Sequence, residues 1–278
     1  LRYIPKATGA PVRACSFATY VGQRATENTP AAQDVQNVWT WTHTGGNGAT
    51  SCKNGVSTNP ATRELEVAAI RKYAVSLADS AIAGGYDGLD IDFEPAWTSG
   101  SVSNHKENME VFMIAMGEHL GPKSSNPHLL FAVDGEVQDL PKAGVPYLNY
   151  LIQQNYWTNQ GASDATINSR FNTVVNRLKS DELSAEDIAS MYFTTVNFES
   201  YAAFGGGPTS TTSYTKADGT KTNYLQGHAE WKPQYGGETF QKAGYGSFHI
   251  EAEYSISGKS GFYPWTRAAL KAVHPPKE

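Results

Sequence analysis

Apolar and polar residues follow two different periods along most of the chain. Between Thr62 and Ala83 the apolar residues recur at helical spacing, and two glycines end the run. An apolar stretch at 86–95 follows at once, with side chains that alternate between two faces. Because a helix that leads directly into a strand is the repeating unit of a parallel sheet, the pattern predicts an α/β fold.

The same alternation continues to the C-terminus. It predicts helices over 105–120, 167–178 and 264–273, and strands over 129–133, 147–157, 188–196 and 246–254. A stretch rich in Gly, Thr and Ser at about 202–223 is predicted to be a long loop. The spacing of these elements is typical of a (β/α) barrel, in which chemistry takes place at the carboxyl ends of the strands.

Three carboxylates share one face of the strand predicted at 86–95. Asp90, Asp92 and Glu94 are two positions apart, and apolar residues occupy the opposite face. Burying unpaired charges is costly, so a protein keeps such a row where it needs acids with different pKa values side by side. A solvated edge strand and a calcium loop are the alternatives, although a calcium loop needs a turn with a central glycine.

Composition and charge narrow the classes of function. The chain has 278 residues, 40% hydrophobic and 18% charged, which predicts a single large domain spanning 1–278. A net charge of -5 argues against nucleic acid or an anionic membrane as partner, and no apolar stretch is long enough for a transmembrane segment. Cys15 and Cys52 could form one disulfide or remain two buried thiols.

No cofactor is predicted. The seven histidines are scattered without the spacing of metal ligands, so no metal site is expected. The glycine run at 205–207 lacks the Lys-Ser/Thr pair that completes a phosphate-binding loop.

The segment DGLDIDFE at 87–94 resembles the DGxDxDxE signature of glycoside hydrolase family 18, which includes chitinases and endo-β-N-acetylglucosaminidases. The resemblance implies a (β/α)8 TIM barrel with this segment on its fourth strand. Only 12–21 and, more weakly, 35–41 are candidates for earlier strands, and residues 2–6 look like the end of a helix. We therefore expect that the first one or two strands lie upstream of this chain. The alternative places strands one to three within 12–60.

The resemblance also implies a role for each acid. In substrate-assisted hydrolysis the sugar's own 2-acetamido group attacks the anomeric carbon. Glu94 would protonate the departing oxygen, Asp92 would accept a hydrogen bond from the acetamido N–H, and Asp90 would share a proton with Asp92. Tyr156 would donate a hydrogen bond to the acetamido carbonyl, and Asp87 would be structural.

Residues around Tyr156 favour one branch of this family. The chain reads Gln154-Asn155-Tyr156-Trp157 where chitinases carry Met-x-Tyr-Asp, and amides around this tyrosine resemble the family's endo-β-N-acetylglucosaminidases. Pro95 directly after the acid points the same way. The expected reaction is cleavage of the di-N-acetylchitobiose core of N-glycans. A chitinase and a non-catalytic carbohydrate-binding protein on the same fold are the alternatives.

Further sugar-binding candidates lie near the predicted strand ends. They are Gln154, Asn155, Asp134, Glu136, Trp157, Glu251 and Trp265. For the acids a salt bridge or helix cap is an open alternative, and for the tryptophans so is core packing. The resemblance implies that the partner is an N-acetylglucosamine-containing oligosaccharide or glycoprotein. It also implies an extracellular, periplasmic or bacterial cell-surface location.

Overall fold

A computed structural model describes residues 2–4, 60–93, 102–156, 162–197, 214–248, 253 and 263–273. These residues form a mixed α/β structure with a mainly parallel central sheet, which confirms the predicted α/β class, whereas the closed barrel stays a prediction. The chain divides into two compact units, residues 1–151 with 180–182 and residues 152–179 with 183–278. A single catalytic domain stays a prediction, and the strands predicted at 12–21 and 35–41 lie outside the described residues.

The first unit alternates helices and strands. Its elements are β1 (Arg2–Ile4), α1 (Pro60–Ala83), β2 (Gly88–Phe93), α2 (Val102–Gly117) and β3 (Leu130–Gly135), and β4 (Tyr150–Gln154) begins at its end. Two 3-10 helices, Val137–Asp139 and Lys142–Tyr147, connect β3 to β4. Strand β2 pairs antiparallel with β1 and parallel with β3. Because β2 has neighbours on both sides, it is not a solvated edge strand.

Apolar side chains cover the face of β2 opposite its carboxylates. Leu89, Ile91 and Phe93 are all buried, as parallel strands beneath helices require. In α1 and α2 the buried residues recur at helical spacing, and the rings of Tyr73 and Phe112 pack with centroids 5.7 Å apart. The methionines of α2 are buried with them, so they belong to the core: Met109, Met113 and Met116.

The second unit begins with the end of β4 and contains the following elements. They are β5 (Ala162–Ser163), α3 (Asp164–Leu178), α4 (Ala185–Met191), β6 (Tyr192–Asn197), β7 (Tyr214–Thr215), β8 (Lys221–Thr222), α5 (Tyr224–Glu230), β9 (Gln234–Tyr235), β10 (Glu238–Thr239), β11 (Gly244–Phe248) and α6 (Pro264–Val273). Strand β6 lies between β4 and β11 and pairs parallel with β11. Strands β5, β7 and β8 form a small sheet, and β9 and β10 form a hairpin.

Two predicted elements differ from the structure. Residues 2–6 were expected to end a helix, but Arg2–Ile4 form a strand, because pairing with the distant β2 decides their conformation. The strand predicted over 188–196 is wrong in its first half, since α4 extends to Met191. A capping box begins this helix: Ser184 Oγ accepts from the Asp187 N–H at 3.1 Å, and Asp187 Oδ2 accepts from the Ser184 N–H at 2.8 Å.

The predicted loop at 202–223 also contains structure in its described part. Strands β7 and β8 pair antiparallel across a turn that contains Gly219. Helix α5 follows directly, and its N-cap residue Asn223 accepts a hydrogen bond from the Gln226 N–H at 2.8 Å. The described part of this segment is therefore a hairpin that leads into a short helix.

Gly135 allows a test of the junction between β2 and β3. Its φ is +125°, and a Cβ at this position would overlap the carbonyl of Phe93, the last residue of β2. We expect Gly135→Ala to lower the free energy of unfolding by about 2–4 kcal/mol, because backbone strain and overpacking add. The measurement is denaturant unfolding of the variant and the wild type.

Gly219→Ala is the matched control. Gly219 has φ +83°, but no heavy atom lies within 4 Å of the position that a Cβ would occupy. This variant should lose only the backbone contribution, about 1–2 kcal/mol. Equal losses in the two variants would show that β2 and β3 do not need the close approach at Gly135.

Candidate active site

The carboxylate row predicted on β2 lies partly within the described residues. Asp90 and Asp92 share one face of the strand; Asp90 is buried at 7% exposure and Asp92 is half-buried. Burial thus decreases from Asp90 towards the carboxyl end of β2. Glu94, two positions further on, lies outside the described residues.

Strand β3 adds a further carboxylate to this face. In the parallel register Asp92 is opposite Asp134, and Asp90 is opposite Ala132. Register partners on adjacent strands point to the same side of a sheet, so Asp134 lies beside Asp92. Asp134 is only 3% exposed, which is unusual for an acid outside a functional or ion-paired site.

Glu136, the second acid predicted near this strand end, is also buried. Its N–H donates to the Phe93 carbonyl at 2.8 Å, so the backbone ends of β2 and β3 are tied together. It occupies the N-cap position of the 3-10 helix Val137–Asp139 without a side-chain capping bond. The side chain of Glu136 therefore does not cap this helix.

The second unit, described by itself, contains the end of β4. Gln153 and Gln154 are buried, whereas Tyr156 is half-buried. The Tyr156 ring stacks on Phe248 at the end of β11, with centroids 5.7 Å apart and planes 26° apart. Tyr156 thus lies at the carboxyl ends of two strands of this unit, as a residue of a barrel active site would.

Asn155 is completely buried and hydrogen-bonded through all its polar groups. Its N–H donates to the Thr195 carbonyl at 3.1 Å, and its carbonyl accepts from the Tyr224 hydroxyl at 2.5 Å. Its side-chain Nδ2 donates to Thr194 Oγ1 at 2.8 Å, and Oδ1 accepts from Arg170 Nη1 at 3.0 Å. These bonds fix the backbone between Gln154 and Tyr156, which gives Asn155 a positioning role.

Basic side chains lie in and beside this network. Burial lowers the pKa of Arg170 to about 10, and burial together with the charges of Lys242 and Arg170 holds the pKa of His228 well below its usual value. His228 Nδ1 is hydrogen-bonded to Thr194 Oγ1 at 2.8 Å. Its Nε2 is buried and has no partner among the described residues, which favours the neutral ring.

Lys242 is the third basic residue near this network, and it is buried. Its Nζ donates to the carbonyls of Ala229 at 2.7 Å and Trp231 at 2.5 Å, where α5 ends. A cation at this end of a helix satisfies carbonyls that have no partner within the helix. Burial, and next the charge of Lys232, lower the pKa of Lys242 to about 8.

The sequence interpretation did not include this network, although Arg170 carried a signal. It lies three residues after Ile167 and four before Val174, both buried on the apolar face of α3. An arginine on such a face is expected to be buried and to have a partner. His228 and Lys242 had no comparable signal, because α5 was not predicted.

Three further candidates lie wholly or partly outside the described residues. Trp157 and Glu251 lie outside the described residues, and Trp265 lies in the first turn of α6, with a side chain outside the described ones. Glu253 is buried, and its carboxylate accepts hydrogen bonds from the N–H and hydroxyl of Thr266. It therefore caps α6, one of the two roles left open for the acids in this region.

Two features are absent from the described residues. No group of three His, Cys, Asp or Glu side chains there could hold a metal ion, and the lack of a cofactor stays a prediction. None of the described helices combines the length and the apolar character needed to cross a bilayer.

Comparisons with known proteins agree with the signature on β2. The sequence profile of glycoside hydrolase family 18, BT1044-like, matches residues 51–272. A solved selenomethionine-labelled Glu-to-Gln variant of BT1044 is similar to this chain, with a TM-score of 0.58 and 22% identity. The match covers 77% of this chain and 61% of BT1044, so this chain spans about three fifths of that relative's length. No curated protein matches the chain.

The buried imidazole of His228 predicts a pH-dependent stability. In the unfolded chain this histidine takes up a proton below about pH 6.5, whereas the lowered pKa keeps it neutral in the folded protein. The unfolded state therefore binds more protons, and the folded state loses up to about 1.4 kcal/mol per pH unit as the pH falls below 6.5. We expect His228→Gln to reduce this loss in unfolding measurements at about pH 7.5, 6.5 and 5.5.

The exposed His128 provides the control. His128→Gln should keep the pH dependence of the wild type. If His228→Gln and wild type lose stability in parallel as the solution is acidified, then His228 is not the group responsible.

Proposed function

The chain belongs to glycoside hydrolase family 18, in its BT1044-like group, and from this premise we propose that it is an endo-β-N-acetylglucosaminidase. The proposed reaction cleaves the β-1,4 linkage in the di-N-acetylchitobiose core of N-glycans with retention of configuration. It leaves one N-acetylglucosamine on the protein and releases the rest of the glycan.

The common face of Asp90, Asp92 and Asp134 is the observation that carries this proposal. Like charges on adjacent positions repel each other, and burial increases that repulsion. Three acids at one strand end suit a reaction that moves protons and stabilises a cationic intermediate. Asp92, the more exposed of the two described acids on β2, is the one that faces substrate.

Each residue has one role in the proposed mechanism. The acetamido oxygen attacks the anomeric carbon while Glu94 transfers its proton to the departing glycosidic oxygen. Asp92 accepts a hydrogen bond from the acetamido N–H as the oxazolinium charge develops, and Asp90 shares a proton with Asp92. Glu94 then takes a proton from a water molecule, and that water attacks the anomeric carbon from the face that the leaving group occupied. This attack opens the oxazolinium ring.

Tyr156 donates a hydrogen bond from its hydroxyl to the acetamido oxygen and so aligns the nucleophile. The stacking on Phe248 and the hydrogen bonds of the adjacent Asn155 support this role, because a tyrosine that orients a substrate must itself be held in place. Gln154 and the acids Asp134 and Glu136 are proposed to bind sugar hydroxyls around the reacting bond.

The finer architecture belongs to the same proposal. We place the parallel strands in a (β/α)8 barrel. The partner is an N-glycosylated protein or a free N-acetylglucosamine-containing oligosaccharide. An extracellular, periplasmic or bacterial cell-surface location suits such a substrate.

Glu94→Gln tests the proposed general acid. Glutamine keeps the shape of the side chain but has no carboxyl proton, and the solved BT1044 chain carries a substitution of this kind. We expect cleavage of an N-glycosylated protein to fall by about 10²–10⁴-fold. Mass spectrometry of the substrate measures the reaction, since each cleavage leaves one N-acetylglucosamine at the glycosylation site.

Glu238→Gln, an exposed residue of β10, serves as control and should cleave like the wild type. Unchanged cleavage by Glu94→Gln would overturn the proposed mechanism. Cleavage of chito-oligosaccharides alone would identify a chitinase. Binding of glycan by the wild type without any product would instead indicate a carbohydrate-binding protein on this fold.

A further inference from the structure

A polar cavity of about 970 Å³ lies against α3 in the second unit. Its walls come from α3, the turn after β7, the end of α5 and the β9–β10 hairpin, and none of Gln153–Tyr156 lines it. Its volume is at the upper end of the range for small-ligand sites, about 300–1,000 Å³. The cavity is therefore large enough for a ligand of several rings.

Three asparagines line this cavity in a row. Asn168, Asn172 and Asn176 are four residues apart on α3 and share one face of the helix. Asn168 Oδ1 accepts from the Gln234 N–H at 2.7 Å, and Asn176 Oδ1 accepts from the Tyr235 hydroxyl at 2.9 Å. Both bonds attach the β9–β10 hairpin to α3, and they leave the two NH2 groups as donors without a partner among the described residues.

Asn172 lies between these two residues and has no such bond. Its Oδ1 is buried and has no hydrogen-bond partner within the described part of the chain. A buried amide oxygen normally has a partner, so a missing one indicates that a ligand or water supplies the donor. The row thus offers amide donors on both sides of a buried acceptor.

Charges around the cavity cancel. Lys216 and Glu230 form an ion pair, and Asp164 accepts hydrogen bonds from the Tyr214 hydroxyl at 2.6 Å and the Ala217 N–H at 2.8 Å. With Lys232 the charged lining residues sum to zero formal charge. Such a lining gives no advantage to a phosphate, an acidic peptide or a cation, and it favours a neutral ligand.

Trp231 also lines this cavity, with 3% of the residue exposed. Its ring packs edge-on against Phe171 and Tyr192, with centroids 6.0 and 6.1 Å away, so it is held rigidly. Carboxamides that can donate and accept, beside an aromatic residue, match a ligand that carries many hydroxyls on an apolar ring. Uncharged sugars have this chemistry.

We propose that the asparagine-lined cavity is a second, non-catalytic carbohydrate-binding site that takes an uncharged oligosaccharide. It is formed by residues 164–239 of the second unit and does not depend on the proposed endoglycosidase activity. Such a site would retain a glycan chain on the protein after the strand-end residues release it.

Asn172→Leu tests the site by replacing the central amide with an apolar group of similar size. The experiment uses the Glu94→Gln background, so that no ligand is cleaved, with triacetylchitotriose and mannotriose as probes. Titration calorimetry should show that at least one probe loses one binding site per chain, or binds at least about tenfold more weakly there. Asn172→Asp should also weaken binding, because it keeps the shape but places a negative charge in a lining whose charges otherwise cancel.

Glu186→Leu adds a leucine to the exposed face of α4, outside the cavity, and should bind both probes like the background protein. Unchanged affinity and stoichiometry in both Asn172 variants would overturn the proposal, as would no binding of either probe to the background protein. If the catalytic proposal alone is wrong, the background protein should still bind one probe molecule, and the Asn172 variants should lose it.

Discussion

The parallel ladder between β2 and β3 is the constraint on which the candidate site depends. A slip of one residue would move Asp90 and Asp92 to the opposite face and expose Leu89 and Ile91 in the site. Both ends of the ladder are fixed by close backbone approach: a Cβ on Gly88 would overlap the Leu130 carbonyl, and one on Gly135 would overlap that of Phe93. The register of the acids therefore follows from main-chain packing rather than from the acids themselves.

The end of β4 is positioned in a different way. There a buried polar network fixes the backbone, whereas close packing of the main chain fixes it in β2 and β3. Asn155 is hydrogen-bonded to three other segments of the second unit, through Thr194, Arg170 and Tyr224. Such a network specifies one arrangement only when every buried polar group has a hydrogen-bond partner. Loss of one partner lowers the stability of the folded state. Tyr156 follows directly in sequence, so its position depends on this network.

Local patterns predicted the elements whose interactions are local. Helices α1 and α3 and strand β2 follow from periodicity and from the glycines after Ala83, and the spacing of Asp90 and Asp92 indicated the shared face without any structure. Strand β1 could not be predicted, because its partner β2 is distant in sequence. The pairing of Asp92 with Asp134 also depends on a contact between residues that are far apart in sequence. The sequence shows asparagines at every fourth position of α3, but a cavity forms there only because the β9–β10 hairpin packs against that helix.

Chemical labelling of Lys242 would report local opening at the end of α5. Its amine donates to two carbonyls at the end of α5, and the residue is only 7% exposed. Burial lowers the pKa of this amine to about 8 in the closed structure, and exposure of the amine to water removes that effect. Reagents that acylate amines can reach it only when the helix end separates, so its labelling rate would follow the frequency of that local event.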